Sequence, residues 1–237
     1  MAASPVADSV RAALSRAVLK PLADRVARPL LELRLRGSMR TQVLGLDLVV
    51  PPGVFHPGFF FSSTALARLL QRRTLAGLHV LDLGTGSGIL ALVAARKGAL
   101  VTAVDINPAA VEAARENASR NGVAIHALVS DQFDAIDARK FDLIVVNPPY
   151  FEGDPRDAVA QAWLAGTGMT YFKRLFAALK PRVASTETLI ILADNCDLRA
   201  IQRCAADEGL ALGLVHSEHV LWEEQLIYRV VEARDGR

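Results

Sequence analysis

Val80-Leu81-Asp82-Leu83-Gly84-Thr85-Gly86-Ser87-Gly88 is an aliphatic run that ends in three glycines, and the apolar stretch from Ile89 follows at once. A strand that turns directly into a helix has this pattern. The glycines permit a tight turn and let a ligand approach the backbone closely. Their spacing is G-x-G-x-G rather than the dinucleotide G-x-G-x-x-G, and no lysine follows as a phosphate loop requires. With Asp82 in the turn and Arg96 the first basic residue after it, the loop suits a ligand that carries positive charge. The sulfonium and ammonium of S-adenosylmethionine are such charges.

Outward from this loop, short aliphatic runs alternate with helical stretches, as in βαβ units around a parallel sheet. Strands are predicted near His79–Leu83, Leu100–Asp105, Ile125–Val129, Phe141–Val146 and Thr188–Ala193. Two last strands, Leu210–His216 and Gln225–Glu232, have only a loop between them and pair antiparallel. Asp105 closes the second strand, where a carboxylate can accept from both hydroxyls of a ribose, and Ile106 follows it. Asp105 also has a plainer reading as the N-cap of the helix that starts at Pro108. In Ser130-Asp131-Gln132-Phe133, Asp131 ends the third strand and can receive an adenine amino group, although Asp134 and Asp137 lie close by. The three acid-bearing strand ends converge on one nucleoside.

The fourth strand ends in Asn147-Pro148-Pro149-Tyr150. Two prolines remove two N–H donors and keep their carbonyls, so the turn presents acceptors. A planar NH2 group matches them: Asn147 takes one hydrogen, the Pro148 carbonyl the other, and Tyr150 stacks on the plane. A proline turn with a packed tyrosine is the structural alternative. Such a nitrogen is weakly basic, so alignment supplies the rate and no strong base is needed.

The chain has 237 residues, which at about 150 per domain implies one large domain with a short appendage. Hydrophobic residues at 51% and charged residues at 22% fit an ordinary globular core and exclude a disordered chain. No run approaches the roughly 18 apolar residues of a membrane span. Cys196 and Cys204 are too few for a disulfide framework or a four-ligand zinc site, and His79, His126 and His216 have no paired ligands. The expectation is a cytoplasmic protein with no metal and no membrane association. Residues 1–40 carry eight basic side chains (Arg11, Arg16, Lys20, Arg25, Arg28, Arg34, Arg36, Arg40) against Asp8, Asp24 and Glu32. Ser4-Pro5 and the Val10, Leu14, Val18 repeat predict a helix there, as a packing arm, an RNA-docking arm or a transit peptide.

On these residues, Val54 to Val231 resembles the class I S-adenosylmethionine-dependent methyltransferases. Within them it is similar to the Asn-Pro-Pro-Tyr group, and to the protein N5-glutamine methyltransferases that modify release factors. The segment Ala162-Trp163-Leu164-Ala165-Gly166 is also similar to one in compact members of that group. The resemblance implies an α/β, Rossmann-like, seven-stranded, mostly parallel sheet of order 3-2-1-4-5-7-6. The chain is read as a helical, basic extension over 1–45, smaller than the N-terminal domain of bacterial release-factor enzymes, and a methyltransferase domain over 46–237 that includes a lid segment at 51–70. The resemblance also implies S-adenosylmethionine bound by Asp82, Gly84, Thr85, Gly86, Gly88, Asp105, Ile106, Asp131 and Gln132, and catalysis by Asn147, Pro148 and Tyr150. Pro149, Phe61 and Trp163 are candidate substrate contacts, with His56 near the lid. The family's acid before the first strand is missing from Pro57-Gly58-Phe59-Phe60-Phe61-Ser62-Ser63-Thr64.

The resemblance implies a protein glutamine side chain as acceptor, supported by Asn147-Pro148-Pro149-Tyr150 and Trp163, and Glu152, Asp154 and Asp157, which oppose only Arg156, form a rim that repels phosphate. An exocyclic amine of adenine or guanine in RNA or DNA is the alternative, with the basic arm holding the backbone of a flipped base. A small metabolite, and a non-catalytic nucleoside binder, complete the set.

Overall fold

A computed structural model describes residues 37–54, 56–57, 61–136, 140–221 and 223–233. The helix predicted from Ser4-Pro5 lies outside them.

Strands β3 (His79–Leu83), β4 (Leu100–Asp105), β5 (His126–Val129), β6 (Leu143–Val146), β7 (Glu187–Ala193), β8 (Leu210–Val220) and β9 (Glu223–Glu232) form one sheet. Its order is β5-β4-β3-β6-β7-β9-β8. The first five strands are parallel, and β9 runs antiparallel to both β7 and β8. This is the topology the sequence predicts. Consecutive side chains leave a strand on opposite faces, so a sheet covered on both sides reads as continuous aliphatic sequence. Val80, Leu143, Val145 and Ile191 enter one core, whereas Leu81, Ile144, Val146 and Leu192 enter the other. Helices α1 (Phe61–Gln71), α2 (Ile89–Arg96) and α3 (Pro108–Arg120) cover the first face. On the second face lie α5 (Thr170–Leu179) and α6 (Leu198–Asp207), anchored by Phe172, Phe176 and Ile201, after the short α4 (Ala158–Gln161).

Ahead of the sheet, β1 (Met39–Val43) and β2 (Leu46–Val50) form a hairpin. Leu44 and Gly45 turn it with φ of 53° and 73°, the left-handed geometry that tight hairpins require. The boundary expected at 45/46 falls on this turn. Asn117 on α3 and Asn121 at its C-cap pair with the free edge of β2 in place of another strand. The Asn117 side chain accepts from Val49 N at 2.8 Å and donates to Val49 O and Ser87 O, both at 2.9 Å. Asn121 accepts from Asp47 N and donates to Asp47 O. The hairpin is thereby tied to the glycine loop, and its exit, Gly53–Val54, reaches the carboxyl ends of the parallel strands. The segment at 51–70 becomes helical from Phe61 and buries Ala65, Leu66, Ala67 and Leu70. No described helix is long and apolar enough to cross a membrane.

Candidate cofactor and acceptor site

The chain enters the sheet at β3, winds outward through β4 and β5, and returns to β6 on the other side of β3. Open α/β sheets bind ligands beyond the carboxyl ends of the strands at such a reversal. Leu83 and Val146 stand opposite each other in the β3–β6 register, so the glycine loop and Asn147-Pro148-Pro149-Tyr150 leave the sheet side by side. A cavity of about 290 Å³ opens there.

Gly84, Thr85, Gly86, Asp105, Ile106, Asp131, Gln132, Asn147, Pro148, Pro149, Tyr150 and Trp163 all line this cavity. Asp82, Gly88 and Phe61 do not. Asp82 lies fully buried beneath the loop, where one oxygen accepts from Thr85 Oγ1 at 2.6 Å and Ala91 N at 3.0 Å. It fixes the turn between β3 and α2 from below. Gly88 is a packing position: its φ is 90°, and a Cβ there would stand 3.1 Å from Ala114 Cα and Cβ on α3. At Gly84 the situation is the reverse. Its φ is 79° and a Cβ would meet nothing within 4 Å, which leaves the space beside the loop open for a ligand.

Asp105 accepts from Gly86 N and Asn107 N, both at 2.9 Å, and so clamps the loop to the end of β4. Its alternative reading as an N-cap is set aside, because Asn107 caps α3 by accepting from Ala109 N at 2.9 Å. Burial raises the Asp105 carboxyl above its ordinary range, against the lowering effect of the N–H groups it accepts from. Ile106, 45% exposed, offers an apolar rim next to it. Asp131 is engaged by a residue that sequence spacing did not single out: Arg174 of α5 reaches it at 2.6 Å and touches Asp134 at 3.3 Å. Gln132, at φ 51°, donates its amide to Tyr171 O.

On the acceptor side, Phe151 bridges to Leu164, with Phe151 N donating to Trp163 O and Ala165 N to Phe151 O. The resulting strap seats Trp163 on the cavity wall. Glu152 accepts from Gly168 N, Asp154 from Thr167 N and Oγ1, and Asp157 from Ala160 N. These carboxylates, expected as a phosphate-repelling rim, also shape the loops leading into α4 and α5. Tyr150 packs edge-on against Phe151 at 4.9 Å, and burial, with Glu223 and Cys196 nearby, raises its hydroxyl above the usual range. It stays protonated at physiological pH. Among the described residues nothing pairs with the Asn147 side chain.

The methyltransferase small domain family matches residues 45–170. The chain belongs to this family. Its members are class I methyltransferases that use S-adenosylmethionine. The methyltransferase domain is 42% identical over 104 residues to the ribosomal protein L11 methyltransferase of Symbiobacterium thermophilum, covering 43% of this chain and 34% of that protein. It is 36% identical over 108 residues to the release factor glutamine methyltransferase of Geobacter sulfurreducens, covering 45% and 37%. The chain thus spans little more than a third of either relative. Among solved structures, the 16S rRNA N2 methyltransferase of T. thermophilus, in complex with AdoMet and guanosine, superposes with a TM-score of 0.59 at 24% identity. That match covers 83% of this chain and 50% of the other, and shows the shared fold.

Asp82 gives the domain a distinctive pH dependence. Burial and the nearby Asp105 charge push its carboxyl up to about 7 from 3.8. A carboxyl raised in the folded state binds its proton more tightly there than in the unfolded chain. Its stabilising contribution is therefore complete below about pH 4 and is lost as pH rises through 7. Relative to Asp82→Asn, wild type should lose about 2 kcal/mol of urea-unfolding stability between pH 5 and 7, at roughly 1.4 kcal/mol per unit. Parallel stability curves for the two proteins would remove Asp82 as the titrating group.

Proposed function

We propose that this chain is an S-adenosylmethionine-dependent N-methyltransferase whose acceptor is a planar nitrogen, the side-chain amide of a protein glutamine. The carrying observation is the wall made by Asn147, Pro148, Pro149 and Tyr150 directly beside the glycine loop. It offers the unengaged Asn147 amide and carbonyls from residues that lack an N–H. Around it stand Trp163, Pro155 and Gln161; the described lining of the cavity holds no histidine or lysine, and its two carboxylates, Asp105 and Asp131, stand on the cofactor side. This wall suits a nitrogen whose lone pair is delocalised and whose reactivity comes from alignment and exclusion of water.

When bound, S-adenosylmethionine supplies an electrophilic methyl group on sulfur. Asp105 accepts from the ribose hydroxyls and Ile106 covers the base, while Gly84, Thr85 and Gly86 leave room for the cationic end. Asp131 and Gln132 close the adenine end, with Arg174 holding the Asp131 carboxylate in place. The Asn147 oxygen and the Pro148 carbonyl take the two amino hydrogens, Tyr150 and Pro149 flank the amide plane, and Trp163 guards the mouth. Transfer would form the N–C bond as the S–C bond breaks, the sulfur would keep the electron pair as S-adenosylhomocysteine, and the proton of the now strongly acidic nitrogen would pass to solvent water. The release factor glutamine methyltransferase among the relatives supports a protein acceptor. An exocyclic amine of adenine or guanine presents the same planar hydrogens and is the competing acceptor.

Methyl-labelled S-adenosylmethionine, incubated with the protein and an unmethylated extract, separates these acceptors. Label that resists nuclease and is released by protease supports the glutamine reading. The reverse pattern transfers the assignment to a base amine.

A further inference from the structure

The net charge of the chain is +2, yet the surface around the acceptor wall is acidic. Three segments meet there. Tyr150 of the wall lies near Cys196 and Glu223. Asn195 Nδ2 donates to Glu223 and Asp194 N to Glu224 O, both at 3.0 Å, which ties the turn after β7 to the start of β9. The loop after Tyr150 joins them through Asp154, whose donor Thr167 belongs to the turn Thr167–Met169 that packs against α6. Glu152, Asp154, Asp157, Asp194 and Asp197 are exposed, and Glu223 and Glu224 are half-buried. Arg156 is the one basic side chain among the described residues of 150–157, 194–197 and 221–224. Arg72, Arg96, Lys97 and Arg120, around the last residues of α1, α2 and α3, lie at the opposite end of the sheet, ahead of the strands.

Gln225 adds a directional demand to this charge. It stands on β9 opposite Ala193, the last residue of β7, and is only 1% exposed. Its Nε2 donates to Glu223 at 3.4 Å, so the amide points into the acidic surface. Its Oε1 has no hydrogen-bond partner among the described residues. A buried carbonyl oxygen without a donor is costly. Beside the Glu223 carboxylate, the donor that best satisfies it is a cationic N–H, because one ammonium or guanidinium serves the carboxylate and the amide oxygen together. Leu221, 62% exposed in the turn between β8 and β9, offers an apolar surface to the aliphatic stem of such a side chain.

We propose that the surface formed by Leu221, Glu223, Glu224 and Gln225 docks a basic segment of the acceptor protein, seating a lysine or arginine near the methylated residue against Gln225 and Glu223. The proposal rests on the protein-glutamine reading above. A fluorescent peptide with one glutamine flanked by lysines tests it, beside versions in which glutamates replace the lysines or leucine replaces the glutamine. In fluorescence anisotropy with the full chain, both lysine peptides should bind, with an affinity that falls as salt rises. The glutamate peptide and a single-stranded RNA oligonucleotide should not bind. Glu224→Lys and Gln225→Leu should each weaken the lysine peptides about tenfold, whereas Glu116→Lys on α3 should change them by less than about twofold. The melting temperature of Gln225→Leu should be unchanged or higher, because an unpaired buried oxygen is gone. Lysine peptides that do not bind, that bind both variants as they bind wild type, or that bind more weakly than the RNA would overturn the surface. Methyl transfer separates the two claims. Binding of both lysine peptides without methylation of the glutamine supports the surface and overturns the acceptor reading; equal methylation of the lysine and glutamate peptides overturns the surface alone.

Discussion

Asn147→Ala should lower kcat by a factor on the order of 10² to 10³ while leaving the affinity for S-adenosylhomocysteine nearly unchanged, as loss of one preorganised polar contact in a dry site does elsewhere. As the new N–C bond forms, the acceptor nitrogen becomes positive and its hydrogens more acidic. On the proposed reading the Asn147 oxygen then binds the transition state more tightly than the substrate, and only such differential binding raises kcat. Asn147 stands at the end of β6, a strand paired on both sides, so truncating its side chain leaves the sheet intact. Single-turnover kinetics with labelled cofactor would measure the effect. A kcat within a few fold of wild type would show that Asn147 does not orient the acceptor.

Asp105→Ala should have its effect on binding. Two hydrogen bonds from ribose hydroxyls to the half-buried Asp105 carboxylate correspond to about 1.5–3 kcal/mol each, so the Kd for S-adenosylhomocysteine should rise on the order of 10² to 10⁴-fold. The variant also releases Gly86 N and Asn107 N, which loosens the loop above Asp82. Because burial raises the Asp105 carboxyl, wild-type affinity should fall as pH drops through that raised value, and the variant should lack this dependence. Calorimetry across pH 4–8 distinguishes the two. Unchanged affinity in Asp105→Ala would place the ribose elsewhere.

What could be read from the sequence was what short-range chemistry determines. Aliphatic strands, a glycine turn and a proline turn are local signals, and the reversal between β3 and β6 follows from chain order once the strands are known. The positions that escaped depend on pairings between distant segments. Arg174 reaches Asp131 across 43 positions, and Asn117 completes the edge of β2 across 68. In the run from Phe59 to Thr64, bulk drew attention to Phe61, whereas the phase of α1, set by Ala67 and Leu70, turns Ser63 inward. For Asp82, a turn position in an apolar strand suggested a ligand contact. The structure shows the carboxyl buried under the loop, pinned by Thr85 and Ala91. The loop-shaping role of Glu152 and Asp154 has no sequence signature, because their partners are the backbone N–H groups of Gly168 and Thr167.

The proposed reaction carries the methyl group to a planar nitrogen held against Asn147 and Pro148. Its most direct test is the chemical fate of the label after strong acid hydrolysis of the purified methylated product. A methylated glutamine amide releases labelled methylamine, the product expected here, whereas a methylated base amine yields a labelled N-methyl purine. Label recovered as methyl-lysine, or on carbon, would contradict it.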